Sequence, residues 1–148
     1  MACDPVRLDL AGLPELLGFH LRLAHVAMYR DFTAAMADLD LTQKQSATLQ
    51  LVGANPGVSQ VDIAATLGTD RATMMAMIDR LENRGLLLRT RSLTDRRRRE
   101  LHLTAQGEAI LVRAIAATKR HEEQFTARLT KAQLAALVQA LRTIHQQV

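Results

Sequence analysis

Residues 60–79 read QVDIAATLGTDRATMMAMID, and no other stretch constrains the fold so tightly. Two helices joined by a tight turn need a small residue where they touch, a glycine in the turn, and apolar residues facing the core on either side. Ala64 supplies the contact and Gly68 the turn. Ile63 with Leu67 form the first core pair, and Met74, Met77 or Ile78 with Leu81 form the second. Ser59 and Asp62 make a capping pattern that opens the first helix, which Gly68 ends after about two turns. Thr69 can cap the second helix, expected over residues 70–84 and closed by Gly85. The pair is a helix-turn-helix, with Asp70, Arg71, Ala72, Thr73, Met75, Ala76 and Arg80 on or near the outward face of its second helix. In proteins that use this motif on DNA, that face enters the major groove.

Beyond Gly85 the hydrophobic period changes. LLLRTRS and RELHL alternate in twos, with the turn-like SLTDR between them, so residues 86–103 read as a β-hairpin. Alternate strand residues face opposite sides, which puts Arg89 and Arg91 together, Leu88 away from them, and Leu101 and Leu103 inward. Arg96, Arg97, Arg98 and Arg99 fill the tip and the start of the second strand. A basic run is ordinarily a solvated face. Placed directly after an outward-facing helix, it instead suits a wing: arginine is drawn into narrow minor grooves and pairs bidentately with phosphate. Asp95, two residues from Arg97, can hold that guanidinium in position across the turn.

The remaining segments are helical. Residues 13–39 carry apolar positions at Leu13, Leu17, Leu21, Ala24 and Met28, with Leu16, Leu23 and Ala27 beside them. So broad a face serves both a core and a partner chain. Thr42 with Gln45 forms a capping box for a short helix that stops near Gly53, ahead of Asn55, Pro56 and Gly57. Thr104 caps a long helix, and Thr130 with Gln133 opens the last one. There Leu134, Leu137, Leu141 and Ile144 make a stripe of the kind that zips onto another helix. The fold class is mainly α with a small β-hairpin wing (α+β). Residues 1–148 form one domain: dimerisation helices at about 13–39 and 105–148 flank a winged helix-turn-helix lobe at about 42–104.

Composition removes several function classes. The net charge of +4 favours a polyanionic partner. One cysteine, Cys3, excludes an internal disulfide, and with no base beside it or second thiol it makes a poor redox sensor. No apolar run approaches the ~20 residues of a membrane span, and the N-terminus lacks a leader pattern, so no membrane association is expected and the location is cytoplasmic. There is no glycine-rich phosphate loop, nucleophile elbow or metal-protease signature, so catalytic residues and cofactors are expected to be absent. His121, Glu122 and Glu123 cluster on the long helix, but a charged helix face accounts for them, and no metal site is assigned.

The runs TQKQSATLQLV, DRATMMAMIDRLENRGLL and TDRRRRELHLTAQGEAIL resemble the multiple antibiotic resistance regulator (MarR) family of bacterial winged-helix transcription factors. The likeness spans nearly the full length, and DRLENRGL and DRR followed by LHLTAQG are its most specific pieces. It implies an obligate homodimer whose first and last helices interlock and whose two lobes sit on successive turns of a pseudo-palindromic operator in double-stranded DNA. It also implies a wing-tip D-x-R element at Asp95 and Arg97, with Arg97 in the minor groove. Many members carry Thr and Arg where this chain has Met75 and Ala76, which shifts base discrimination toward thymine-methyl contacts, Arg71, Thr73 and DNA shape. The expected DNA-binding set is Ser59, Gln60, Asp70, Arg71, Thr73, Met75, Ala76, Arg80, Arg91, Asp95, Arg97 and Arg98.

By the same resemblance the protein is a repressor that a small, often aromatic and anionic effector releases from DNA. His20, Arg22 and Tyr29 of the first helix are the candidate ligand positions, although residues there more ordinarily make backbone or interface contacts. A nonspecific nucleoid-type DNA binder and a winged-helix protein-interaction module are the competing readings. Both differ from a regulator in the ratio of specific to nonspecific DNA affinity.

Overall fold

The computed structural model describes residues 8–92 and 99–146. Six α-helices and one hairpin run in the order α1 (Leu17–Ala35), α2 (Gln43–Ala54), α3 (Gln60–Thr66), α4 (Arg71–Asn83), β1 (Leu87–Arg91), β2 (Arg99–Leu103), α5 (Ala105–Thr126) and α6 (Lys131–His145). Short 3-10 turns at Leu13–Glu15 and Ala37–Leu39 bracket α1. Residues 13–39 are therefore not one continuous helix. Leu16 is extended (ψ 124°) between the first turn and α1, and Asp40 takes a left-handed φ of 48° that ends the second turn.

Local capping chemistry sets most helix starts. Thr42 and Thr130 form reciprocal capping boxes with Gln45 and Gln133. Ser59 accepts the Asp62 amide, and Thr104 accepts that of Gly107. The cap of α4 is Asp70, one residue later than the sequence suggests: its carboxylate takes the Thr73 amide, while Thr69 lies in the preceding turn. Both residue types cap well, and the chain reversal at Gly68 (φ 58°) decides between them.

The core lies where α1, α2 and α5 meet the helix-turn-helix. Leu49, Ile63, Met74, Ile78, Leu81, Leu86, Leu87 and Leu101 are almost wholly buried. Each large side chain of this kind contributes about 1.5–3 kcal/mol on burial. The α3 and α4 positions that face this core are those named from the sequence, with Leu67 only partly buried at its edge. Buried His121 on α5 joins α1, its Nδ1 2.6 Å from Asp31 Oδ2 and its ring edge-on to Phe32 and Phe125. It is thus chiefly an interhelical linker, with Glu122 Oε1 4.0 Å from its other ring nitrogen.

The hairpin pairs antiparallel from Leu87 opposite Leu103 to Arg91 opposite Arg99. Val58 bridges to Leu101, and the Gly57 amide donates to the Leu101 carbonyl, so the segment before α3 is stitched to the wing root. The strand faces differ from expectation. Leu87, not Leu88, is the buried member, Leu88 is 39% exposed, and Arg89 lies opposite buried Leu101. The arginines and the core leucines thus share a face. Arg89 lies on that face because carboxylates of α4 receive its guanidinium.

α6 stands apart from this packing. None of its fifteen residues is buried. Leu137, Val138 and Ile144 are exposed, as are Leu13, Leu16, Leu17, Leu21 and Leu23 at the start of the chain.

Candidate nucleic-acid interface

α4 is amphipathic in the spacing that a groove-binding helix needs. Met74, Met77, Ile78 and Leu81 are buried, whereas Arg71, Ala72, Thr73, Met75, Ala76 and Arg80 are exposed along the opposite side. At its start, the Asp70 carboxylate accepts both the Thr73 amide (2.9 Å) and the Thr73 hydroxyl (2.6 Å). These bonds, the hydroxyl first, hold the Asp70 carboxyl below its ordinary range. Because the Thr73 hydroxyl proton is committed to Asp70, Thr73 presents outward an acceptor lone pair and a methyl group.

Two arginines fix α4 at its far end. Arg84 donates to the carbonyls of Leu39 (2.8 Å) and Asp40, tying the helix to the α1–α2 connection. Arg89 of β1 reaches back to Asp79 and Glu82, and Glu82 also accepts the Arg89 backbone amide at 3.3 Å. The angle between helix and wing is therefore set by charge-assisted bonds as well as by packing.

Around the outward face of α4 lie cations from other elements. Lys44 at the start of α2 lines a cleft with Thr42, Thr73, Ala76 and Arg80. On the other flank a second recess brings together Gln60, Met75, Asp79, Glu82, Arg89 and Arg99. Arg91 and Arg99 are both exposed and directly opposite in the hairpin register. Like charges so paired repel, and a bound anion would relieve them. Among the described residues Lys44, Arg71, Arg80, Arg91 and Arg99 form no ion pair with a described carboxylate.

Of the DNA-contact positions read from the sequence, Asp70, Arg71, Thr73, Met75, Ala76, Arg80 and Arg91 come to this one exposed surface, with Gln60 at its margin. Ser59 is half-buried, and its hydroxyl donates to Asp62 Oδ2 at 2.8 Å within the α3 cap. Asp95, Arg97 and Arg98 lie outside the described residues, as does Cys3. Lys44 and Arg99 join the surface without having been in the expected set. Lys44 sits in the TQKQ cap of α2, and only its approach to α4 distinguishes it from an ordinary surface lysine.

The ligand candidates do not share one face: at about 3.6 residues per turn, His20 projects from the opposite side of α1 from Arg22 and Tyr29. His20 is exposed and hydrogen-bonds the Pro14 carbonyl at 2.7 Å. Arg22 is exposed, and Tyr29 is tilted against His25 with ring centres 6.0 Å apart. Among the described residues no group of three or more His, Cys, Asp or Glu is placed to hold a metal ion, and no helix is long and apolar enough to cross a membrane.

The most specific sequence pieces meet at one knot. Gly85 turns with φ 68°, and its carbonyl accepts the Thr104 hydroxyl at 2.5 Å. The Leu86 carbonyl accepts the Thr104 amide at 3.2 Å. Gly107 lies so close that a Cβ there would stand 1.8 Å from the Leu86 carbonyl oxygen. DRLENRGL and LHLTAQG are thus the two halves of the joint between wing root and α5.

Known proteins share this architecture. The MarR family model matches residues 39–98. A transcriptional regulatory protein for the hcr operon of Thauera aromatica is 36% identical over 97% of this chain and 90% of its own length. The transcriptional regulator HosA of Escherichia coli O157:H7 is 38% identical over 70% of this chain and 76% of its own. The transcriptional repressor CouR, solved bound to a 23-mer DNA duplex, superimposes with a TM-score of 0.88 at 43% identity, covering 94% of this chain and 99% of that one. CouR bound to p-coumaroyl-CoA gives 0.87 at 40% identity over 96% and 100%. With its winged helix-turn-helix and this likeness along nearly its whole length, the chain belongs to the MarR family of DNA-binding transcriptional regulators.

Proposed function

We propose that the protein is a homodimeric repressor that reads a pseudo-palindromic operator and leaves it when a small aromatic acid or its thioester binds. The observation that carries the DNA half is the exposed strip of α4, flanked on α2 and on both wing strands by cations that form no ion pair among the described residues. α4 is the recognition helix. Arg71, Thr73, Met75, Ala76 and Arg80 meet base edges and adjacent phosphates, with Asp70 as the cap that positions Thr73. Thr73 and Met75 offer methyl groups to thymine, and Thr73 accepts from adenine N6 or cytosine N4. Gln60, Ser59 and Lys44 face phosphate. Arg91 and Arg99 track the backbone beside the wing, and the family resemblance gives Arg97 the minor-groove contact and Arg98 a place in the contact set.

Dimerisation rests on α6 and the start of the chain: no α6 residue is buried, and Leu13, Leu16, Leu17, Leu21, Leu23 and Leu137 are exposed in the protomer. Two-fold pairing sets the two copies of α4 about one DNA turn, ~34 Å, apart to match inverted half-sites. The regions at about 13–39 and 105–148 are the dimerisation helices, and the lobe at about 42–104 is the DNA-binding unit. The protein works in the cytoplasm, where its DNA lies.

The effector class follows from the CouR complex with p-coumaroyl-CoA. Arg22 and Tyr29, which share one side of α1, and His20 on the opposite side are the polar groups to orient such a ligand. The test is retention of the DNA upstream of the protein's own gene, with p-coumaroyl-CoA or the free aromatic acid then added. Retention that the thioester or the acid relieves is the expected result. No retention counts against the regulator, and retention indifferent to both counts against this effector class.

A further inference from the structure

Among the described residues Arg89 is the wing-strand arginine whose charge is already spoken for. Its side chain is 18% exposed. One Nη donates to Asp79 and the other to Glu82, both on α4. Glu82 also takes the Arg89 backbone amide through its other carboxylate oxygen, so a single carboxylate holds both the main chain and the side chain of β1. Arg91, two residues on along the same strand face, has no carboxylate among the described residues and is exposed. The two arginines stand two apart in one short run, LRTR, and have opposite surroundings.

Resting on the regulator reading above, we propose that Arg89 is a positioning residue for DNA binding and not a DNA contact. It locks α4 to β1 so that the helix and the wing reach adjacent grooves as one body. Three features support this. A guanidinium facing two carboxylates would have to break both pairs to reach a phosphate, and would leave both acids beside the polyanion. The bonds run across the chain reversal at Gly85 (φ 68°), where no helix or strand ladder fixes the relative orientation. Arg84 anchors the same end of α4 to the α1–α2 connection, whereas Arg89 ties that end to β1 by charge.

The two roles separate in salt dependence and in specificity. Losing a phosphate contact lowers affinity for every sequence and flattens the slope of log K against log salt by about 0.9 per contact. Losing a positioning strut lowers affinity for the operator while leaving the slope and the nonspecific affinity nearly unchanged. The experiment is anisotropy titration of full-length wild type, Arg89→Met, Glu82→Gln and Arg91→Ala against a selected operator and a scrambled duplex, at several salt concentrations. Circular dichroism serves as the check on folding.

The assignment predicts that Arg89→Met and Glu82→Gln both reduce the operator-to-scrambled ratio about tenfold or more at unchanged slope. Arg91→Ala should flatten the slope and weaken both duplexes alike. Glu82→Gln is nearly isosteric and keeps the fold testable if Arg89→Met does not. A flattened slope in Arg89→Met, or a Glu82→Gln protein that binds both duplexes more tightly at an unchanged ratio, would overturn the assignment by making Arg89 a phosphate ligand held back by its carboxylates. A wild-type ratio near one with binding intact would instead overturn the regulator reading itself.

Discussion

Asp70 and Thr73 link the start of α4 to the recognition role proposed for that helix. The carboxylate caps α4 and takes the Thr73 hydroxyl, so the same bond that starts the helix fixes which hydrogen-bonding face Thr73 turns outward. Since these bonds hold the Asp70 carboxyl below its ordinary range, its contribution to stability is complete above the unfolded-state value. It is lost as pH falls through the folded one. Asp70→Ala should therefore destabilise the protein at neutral pH and make little difference at strongly acid pH. Urea unfolding at both pH values, at one protein concentration, checks this, and an equal loss at both would remove the cap from the account. Gly107 makes a second residue-scale case. With no room for a Cβ against the Leu86 carbonyl oxygen, Gly107→Ala should cost about 2 kcal/mol through forced displacement of the α5 start. A variant as stable as wild type by the same unfolding measurement would show that the joint yields.

Elements divide by whether local or distant chemistry defines them. The caps at Thr42, Ser59, Thr104 and Thr130 were legible because a cap and its partner lie three residues apart. The buried face of α4 was legible from its period. The strand register was not: three leucines in a row, Leu86, Leu87 and Leu88, give alternation no starting point. The inner face is chosen by pairing with Leu101 and by the pull of Asp79 and Glu82 on Arg89. Likewise His121 read as one of a charged trio because its partner Asp31 lies 90 positions away. The break at Leu16 also escaped the apolar pattern, which continues through it. At this scale α6 carries the sharpest expectation. Leu137 is 45% exposed in the protomer, so Leu137→Glu should leave the fold intact yet shift sedimentation from dimer to monomer. A persistent dimer would place the interface elsewhere.

Through the knot of Gly85, Leu86, Thr104 and Gly107, the molecule joins the winged helix-turn-helix to α5, on which α1 packs, and beyond it to α6, none of whose residues is buried. A ligand that shifts α1 against α5 would reach the wing root through that joint, since α5 begins where β2 ends. Family membership and architecture were legible from the sequence because the motif pieces encode this joint and the helix-turn-helix. Lys44 was not assigned, because only the fold brings it beside α4, and Arg99, read as part of the basic wing, was left out of the contact set because its place opposite Arg91 depends on the strand register. The central claim is that this surface discriminates among DNA sequences. Its most direct test is anisotropy titration of the purified protein against the DNA upstream of its own gene and a scrambled duplex, at two salt concentrations. The account predicts a preference of ~10³-fold or more, with affinity falling steeply as salt rises. Equal affinity for both duplexes, or no binding at low salt, would contradict it.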